Sequence, residues 1–297
     1  MKTSLADYQI DLSAYFDRLD YSGPTDPTLQ TLGALQLRHQ QRIPFENLDP
    51  FLNRKVAIDL PSVERKLVFS ERGGYCYEQN LLFAHVLQRL GFVVSNLMAR
   101  VQWGADDQET TPRSHMLLHV RLDHRPYIVD VGFGGNSIPS PIVMNRENVQ
   151  QTSHGVYRCL LINGEYWLQV HTDKGWRSMY RFDLARQVPV DYVAANYYTS
   201  THEDSHFRHS IIAARIFQNG RHTLHNNLLA TRYQDGHVHQ TILESADDTQ
   251  AALLDVFGIR VPDTALFRSR WQEKSQGWEM GARPAVREPV QGVAQGA

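Results

Sequence analysis

Arg72-Gly73-Gly74-Tyr75-Cys76-Tyr77-Glu78-Gln79-Asn80 is the stretch from which the rest of the chain can be read. Its two glycines allow tight backbone geometry. The residues that follow carry helical periodicity: Leu82, Val86, Leu87 and Leu90 line one face of a helix predicted over 77–90, and Gly91 supplies a stop. Cys76 is therefore expected at a helix N-terminus, beside unpaired N–H groups and the positive end of the macrodipole. A thiolate is an anion that such a position stabilises. A lone cysteine is more often a small core residue, but the passage from Gly-Gly into a helix turns the reading towards a reagent.

Working outward, the preceding residues read as helical. Leu12, Tyr15, Phe16 and Leu19 share a face over 11–19. Asp26-Pro27 pairs a capping side chain with a proline suited to a helix start, and Leu29, Leu32, Leu35 and Leu37 follow. Pro44 ends that helix, so Ile43-Pro44-Phe45-Glu46-Asn47-Leu48 is expected to be a turn, and 61–69 a short helix.

Beyond Gly91 the texture changes to strands at 93–103, 114–122 and 127–131, rich in β-branched and large apolar residues. Asn163-Gly164 between 156–162 and 166–171 signals a hairpin, and 176–182 adds a strand. A helix over 190–198 leads to strands at 211–217, 223–229 and 238–243, with turns at Asn219-Gly220 and Asp235-Gly236. A helix over 246–257 follows, and 277–297 loses periodicity and reads as a loose tail. The expectation is an α+β chain in three segments: 1–91 helical, 92–188 strand-rich, 189–276 mixed, then the tail 277–297.

Composition narrows the function. The 297 residues carry 30 Lys and Arg against 32 Asp and Glu, a net charge of −2, which excludes a generally basic nucleic-acid binder. With 42% hydrophobic and 21% charged residues the chain is neither disordered nor a membrane protein. Two cysteines make no disulfide scaffold. The first ten residues hold Asp7 and no apolar run, so no signal peptide is expected, and no run is long enough to span a bilayer. A cytoplasmic protein is the expectation.

A thiolate nucleophile needs a base and a group to orient it. Ser114-His115-Met116-Leu117-Leu118-His119-Val120 offers two histidines on one side of a strand. Asp130 ends the next apolar strand, where an acid is costly to bury without a partner. The turn Asp123-His124-Arg125-Pro126 is short enough for a hairpin, which brings Asp130 nearer His115 than His119. Cys76, His115 and Asp130 together suggest a Cys-His-Asp triad, although spacing alone is a weak guide to a triad.

Four motifs in order resemble the arylamine N-acetyltransferases: the Ile43 to Leu48 segment, the Arg72 to Asn80 segment, Ser114-His115-Met116-Leu117-Leu118, and Asp130-Val131-Gly132-Phe133-Gly134-Gly135. Ser205-His206-Phe207-Arg208-His209 adds a fifth, and the likeness runs from about residue 10 to 260, strongest to the enterobacterial branch. The resemblance implies a helical bundle, a β-barrel and an α/β lid, with a papain-like triad. It implies acetyl-coenzyme A as cosubstrate, Cys76 as the acetylated nucleophile, His115 as base and Asp130 as its orienter. Phe45, Tyr75, Phe133 and Phe207 match positions that line the acceptor pocket of that family. Thr111, Arg113, Gly132 and Gly134 are the candidates for coenzyme contact. A small aromatic amine or hydroxylamine is the implied acceptor; no nucleic acid or membrane partner is expected.

Other signals are weaker. His202, His206 and His209 share a helical face, but no carboxylate or cysteine set completes a metal site, and no metal is expected. Gly132-Phe133-Gly134-Gly135 lacks the dinucleotide spacing and reads as a tight turn. Arg208, Arg215 and Arg221 could meet coenzyme phosphates, at least one being simply a surface charge, and Cys159 is assigned to the core. A cysteine amidase or hydrolase on the same triad, an amide synthase of macrolactam assembly and a binding protein without activity are the alternatives.

Overall fold

The computed structural model describes residues 8–144 and 148–278. Within the first segment lie helices α1 (Leu12–Leu19), α2 (Leu29–Arg42), α3 (Leu48–Phe51), α4 (Leu60–Glu64) and α5 (Cys76–Arg89). Side-chain caps start several of them: Asp11, Thr28 and Asp59 each accept a backbone N–H three residues on. The helix expected over 61–69 divides into α4 and a π-helical turn, Arg65–Phe69.

The expected turn at 43–48 is corrected in part. Phe45–Glu46 forms a short strand, β1, whose partners Ala214 and Ala213 lie far along the chain. Phe45 also bridges Gly74 in parallel. A Cβ on Gly73 would sit 2.1 Å from the Pro44 carbonyl oxygen, so this close approach of two backbones requires glycine there.

The central segment folds into one eight-stranded antiparallel sheet, curled into a nearly closed barrel. Its strands are β2 (Val93–Val101), β3 (Arg113–Leu122), β4 (Arg125–Val129), β5 (Ile142–Val143), β6 (Gln150–Thr152), β7 (Gly155–Ile162), β8 (Glu165–Thr172) and β9 (Gly175–Phe182). They run in the order β5-β4-β3-β2-β9-β8-β7-β6. The inner face holds Leu97, Ala99, Leu117, Ile128, Tyr157, Cys159, Leu168, Met179, Tyr180 and Phe182, all buried, and places Cys159 in the core as expected.

Helix α6 (Pro189–Thr201) leads to a second sheet of β1 with β10 (Ile212–Phe217), β11 (Gly220–His225), β12 (Leu228–Tyr233) and β13 (Val238–Ile242). The single strand expected over 223–229 is two strands, because Asn226 adopts φ 57° in the turn between β11 and β12. Two helices follow among the described residues, α7 (Ala246–Asp255) and α8 (Thr264–Ser275), the second absent from the sequence expectation. Leu48, Phe51, Leu253, Phe257 and Phe267 pack them onto α3 and the sheet. Of the tail expected over 277–297, all beyond Trp278 lies outside the described residues. Among the described residues no helix is long and apolar enough to cross a membrane.

Candidate active site

Cys76 is the first residue of α5, with Tyr75 in extended backbone as the N-cap. Glu78, in the first turn, accepts the Tyr75 N–H with Oε2 at 3.1 Å, the returning half of a capping box. Its other oxygen, Oε1, accepts from Lys66 Nζ at 2.7 Å. Lys66 also meets Asp49 at 2.7 Å, and Arg72 reaches Glu46 at 2.6 Å and Asp49 at 2.9 Å. Three carboxylates and two cations, all largely withdrawn from water, thus stake the Gly-Gly loop to α3, α5 and the π-helical turn. Burial alone would push the Lys66 and Arg72 cations down, but the surrounding carboxylates hold both above their ordinary values. Sequence reading gave Glu46, Asp49, Lys66 and Arg72 no role. Their clue was a set of charges inside an apolar segment, but nothing local says which acid meets which base.

The hairpin of β3 and β4 delivers the next two groups. His115 and Asp130 are 3% and 0% exposed. His115 Nε2 lies 2.7 Å from Asp130 Oδ2, which leaves the other ring nitrogen for Cys76. Burial works against a charged imidazole here, yet the Asp130 carboxylate and a hydrogen bond with Cys76 reverse that and hold His115 well above the usual histidine range. Cys76 Sγ is 3.9 Å from the Ser114 carbonyl oxygen, at the edge of contact with the histidine strand. His119 lies elsewhere, opposite Ile128, so of the two histidines it is His115 that meets Asp130.

Asn80, one helical turn beyond Cys76, ties these elements together. Its Nδ2 donates to Met116 O at 2.8 Å and to Asp130 Oδ1 at 3.0 Å, and its Oδ1 accepts from Val131 N at 3.1 Å. The same Asp130 oxygen, Oδ1, also accepts the Gly132 N–H at 2.9 Å. Asp130 is thereby surrounded by hydrogen-bonding partners: His115, Asn80 and the Gly132 N–H. The sequence signal for Asn80 is its i+4 offset from Cys76 on the same helix face, which does not say what it bonds.

Aromatic rings wall the site. Phe133 stands edge-on to His115, centroids 5.2 Å apart, and Tyr180 packs on both. Phe207, on the 3-10 turn His206–Arg208, meets Tyr75 at 5.7 Å and Phe45 at 6.3 Å. The Tyr75 hydroxyl is held by Asn196 of α6, and Tyr77 donates to Ser114 O at 2.9 Å.

The four residues considered for coenzyme contact are placed unequally. A Cβ on Gly132 would stand 2.7 Å from Cys76 Cα, so Gly132 lets the barrel press against the start of α5. Gly134 adopts φ +90° across from the Phe45 ring and lines a narrow cleft with Arg215, Arg221 and His222. Thr111 buries a hydroxyl that has no hydrogen-bond partner among the described residues. Arg113 is engaged by both oxygens of Asp183, at 2.5 and 3.2 Å. Arg208 bonds Asn53 and Thr201 O, Arg215 bonds Gln41 O, and Arg221 bonds Gly135 O and His154 O. Among the described residues no group of three or more His, Cys, Asp or Glu could hold a metal.

The family model for N-acetyltransferase matches residues 28–266. Arylamine N-acetyltransferase of Escherichia coli K12 is 41% identical over 85% of this chain and 90% of its own. The Salmonella typhimurium arylamine N-acetyltransferase / N-hydroxyarylamine O-acetyltransferase is 39% identical, covering the same shares. A structure of Mycobacterium marinum arylamine N-acetyltransferase in complex with CoA superposes with a TM-score of 0.85 at 35% identity, over 89% of this chain and 99% of that one. By sequence and by superposition across most of its length, the chain belongs to the arylamine N-acetyltransferase family.

Proposed function

We propose that this chain transfers the acetyl group of acetyl-coenzyme A to arylamines, arylhydrazines and N-hydroxyarylamines through an acetyl group carried on Cys76. The single observation behind the mechanism is the junction of Cys76, at the start of α5, with the His115–Asp130 pair.

Cys76 gives its proton to His115, and Asp130 sustains the imidazolium. The Cys76 thiolate adds to the thioester carbonyl. Backbone N–H groups, that of Cys76 among them, hold the oxyanion. As the tetrahedral intermediate collapses, the carbon–sulfur bond to coenzyme A breaks and the leaving thiolate takes the proton from His115. Acetyl-Cys76 and neutral His115 remain. The acceptor nitrogen, or the oxygen of a hydroxylamine, then attacks the acetyl carbonyl while His115 takes its proton, and Cys76 leaves as thiolate.

Phe45, Tyr75, Phe133 and Phe207 suit a flat aryl ring and restrict water, which would otherwise hydrolyse the acetyl-cysteine. The unpaired Thr111 hydroxyl and the cleft that Gly134 lines are the features that suit a coenzyme arm, whereas Gly132 is closed over by the start of α5. Arg113 serves a phosphate only by leaving Asp183. In this reading the segments 1–91, 92–188 and 189–276 act as nucleophile carrier, base carrier and lid, and the enzyme works in the cytoplasm. Hydrolase and amide-synthase alternatives gain nothing from the named relatives.

Steady-state kinetics with acetyl-coenzyme A and an aniline-type acceptor test the scheme. Parallel double-reciprocal lines are expected. Intersecting lines would mean direct transfer within a ternary complex and would remove the acetyl-cysteine.

A further inference from the structure

We propose that a buried relay running Tyr15, His39, Gln79 is a positioning device for the acceptor side of the active site, pinning the backbone that carries Phe45 to the backbone that carries Tyr75. The inference rests on the acceptor-pocket reading above and names residues outside it.

All three side chains are fully buried. Tyr15 Oη lies 2.8 Å from His39 Nδ1, and His39 Nε2 lies 2.5 Å from Gln79 Oε1. Gln79 Nε2 faces Pro44 O at 2.8 Å, Gly74 O at 3.2 Å and, more distantly, Ile43 O at 3.4 Å.

The direction of every proton follows from those last contacts. Backbone carbonyls only accept, so the Gln79 end facing them is the NH2 and the end facing His39 is the oxygen. An amide oxygen only accepts, so His39 carries its proton on Nε2. His39 Nδ1 is then a lone pair, and Tyr15 is the donor to it. The relay has one consistent polarity, from Tyr15 in α1 through His39 in α2 to Gln79 in α5. A second proton on His39 would leave Tyr15 without an acceptor. Burial pushes His39 down to about 4, which keeps the ring neutral in this role.

Gln79 ends the relay on carbonyls of two adjoining backbones. Pro44 O also accepts Gly74 N at 3.3 Å, and Gly74 O also accepts Glu46 N at 3.0 Å. The amide thus bolts together the strips that hold Phe45 and Tyr75, whose rings both contact Phe207. Cys76 itself depends on other anchors, the Glu78 cap and the Lys66 contact.

The test uses the full chain and two readouts. One is the p-nitrophenol burst from p-nitrophenyl acetate without acceptor, which reports Cys76 acetylation. The other is KM for an aniline acceptor. Gln79→Met keeps the length and removes both polar ends. Loss of its buried hydrogen bonds is expected to raise acceptor KM by about tenfold, with the burst rate within about threefold of wild type. Tyr15→Phe removes only the first donor; a smaller KM rise with an unchanged burst is expected, and this variant carries the test should Gln79→Met not fold. An unchanged KM in the folded variant, or KM and burst rate impaired together, overturns the proposal. Imidazole 15N resonances of wild-type His39 give a separate check, since a proton on Nδ1 or on both nitrogens overturns the relay whatever the activity. No burst in the wild type would instead overturn the acetyl-cysteine reading.

Discussion

Asn80 donates to Asp130 across 3.0 Å from the same helix that carries Cys76. The helix of the thiol therefore also grips the acid that holds the histidine, and the third Asn80 bond, to Met116 O, grips the histidine strand. A single amide sets the distances among three separate elements.

Asn80→Ala should consequently slow acetyl transfer through geometry, with the protein still folded. Loss of a hydrogen bond to a buried carboxylate costs about 1.5–3 kcal/mol, a tenfold to hundredfold effect. The kcat of the acetyl-transfer assay checks it, alongside circular dichroism. Wild-type turnover would leave Asn80 with a purely structural role.

Asp130→Asn preserves size and removes the charge beside His115. Transfer should fall by orders of magnitude, as far as about ten-thousandfold, and iodoacetamide should alkylate Cys76 more slowly at neutral pH. Asp123→Asn is the control: Asp123 is exposed on the turn between β3 and β4 at φ 48°, a conformation that asparagine also tolerates. Equal alkylation rates in the two folded variants and wild type would remove Asp130 from the network of the thiol.

The His115 imidazole is raised from its usual 6.5 to about 10, burial opposing the rise and Asp130 imposing it. The folded state therefore holds a proton that the unfolded state releases first. The stabilisation is complete below about pH 6.5, where both states are protonated, and is lost as pH climbs towards about 10. Urea midpoints of wild type and His115→Gln should accordingly converge as pH rises through that window. A gap that widens with pH would contradict the charged pair.

Arg72→Met removes the closest cation of buried Glu46, leaving it only Lys66 at 3.9 Å, and one of the two close cations of Asp49. Breaking a buried pair from one side costs about 3–5 kcal/mol. Denaturant unfolding should show a loss of that size, and the Gly-Gly loop ahead of Cys76 should become accessible to protease. A loss below about 1 kcal/mol would place this cluster with ordinary surface pairs.

What was legible in the sequence had a local cause. The apolar face of α5 and the Gly-Gly before it placed Cys76 at a helix start, and the short turn after Leu122 put Asp130 beside His115. Features that depend on distant partners were not legible. β1 exists because Ala213 and Ala214 come to it, and within its own neighbourhood Pro44 reads as a turn. β5 and β6 are too short to carry a pattern. Helix α8 buries only Phe267, so it shows no apolar stripe. The ionic cluster draws its members from positions 46 to 78 with no common period.

The acetyl group proposed on Cys76 is open to direct observation. The intact chain is mixed with acetyl-coenzyme A in the absence of acceptor, and its mass is measured, with peptide mapping to locate any adduct. One acetyl group on Cys76, absent from Cys76→Ser and discharged on adding an aniline-type amine, is the expected result. Acetylated amine formed while Cys76 stays unmodified, or a Cys76→Ser variant that turns over within tenfold of wild type, would contradict it.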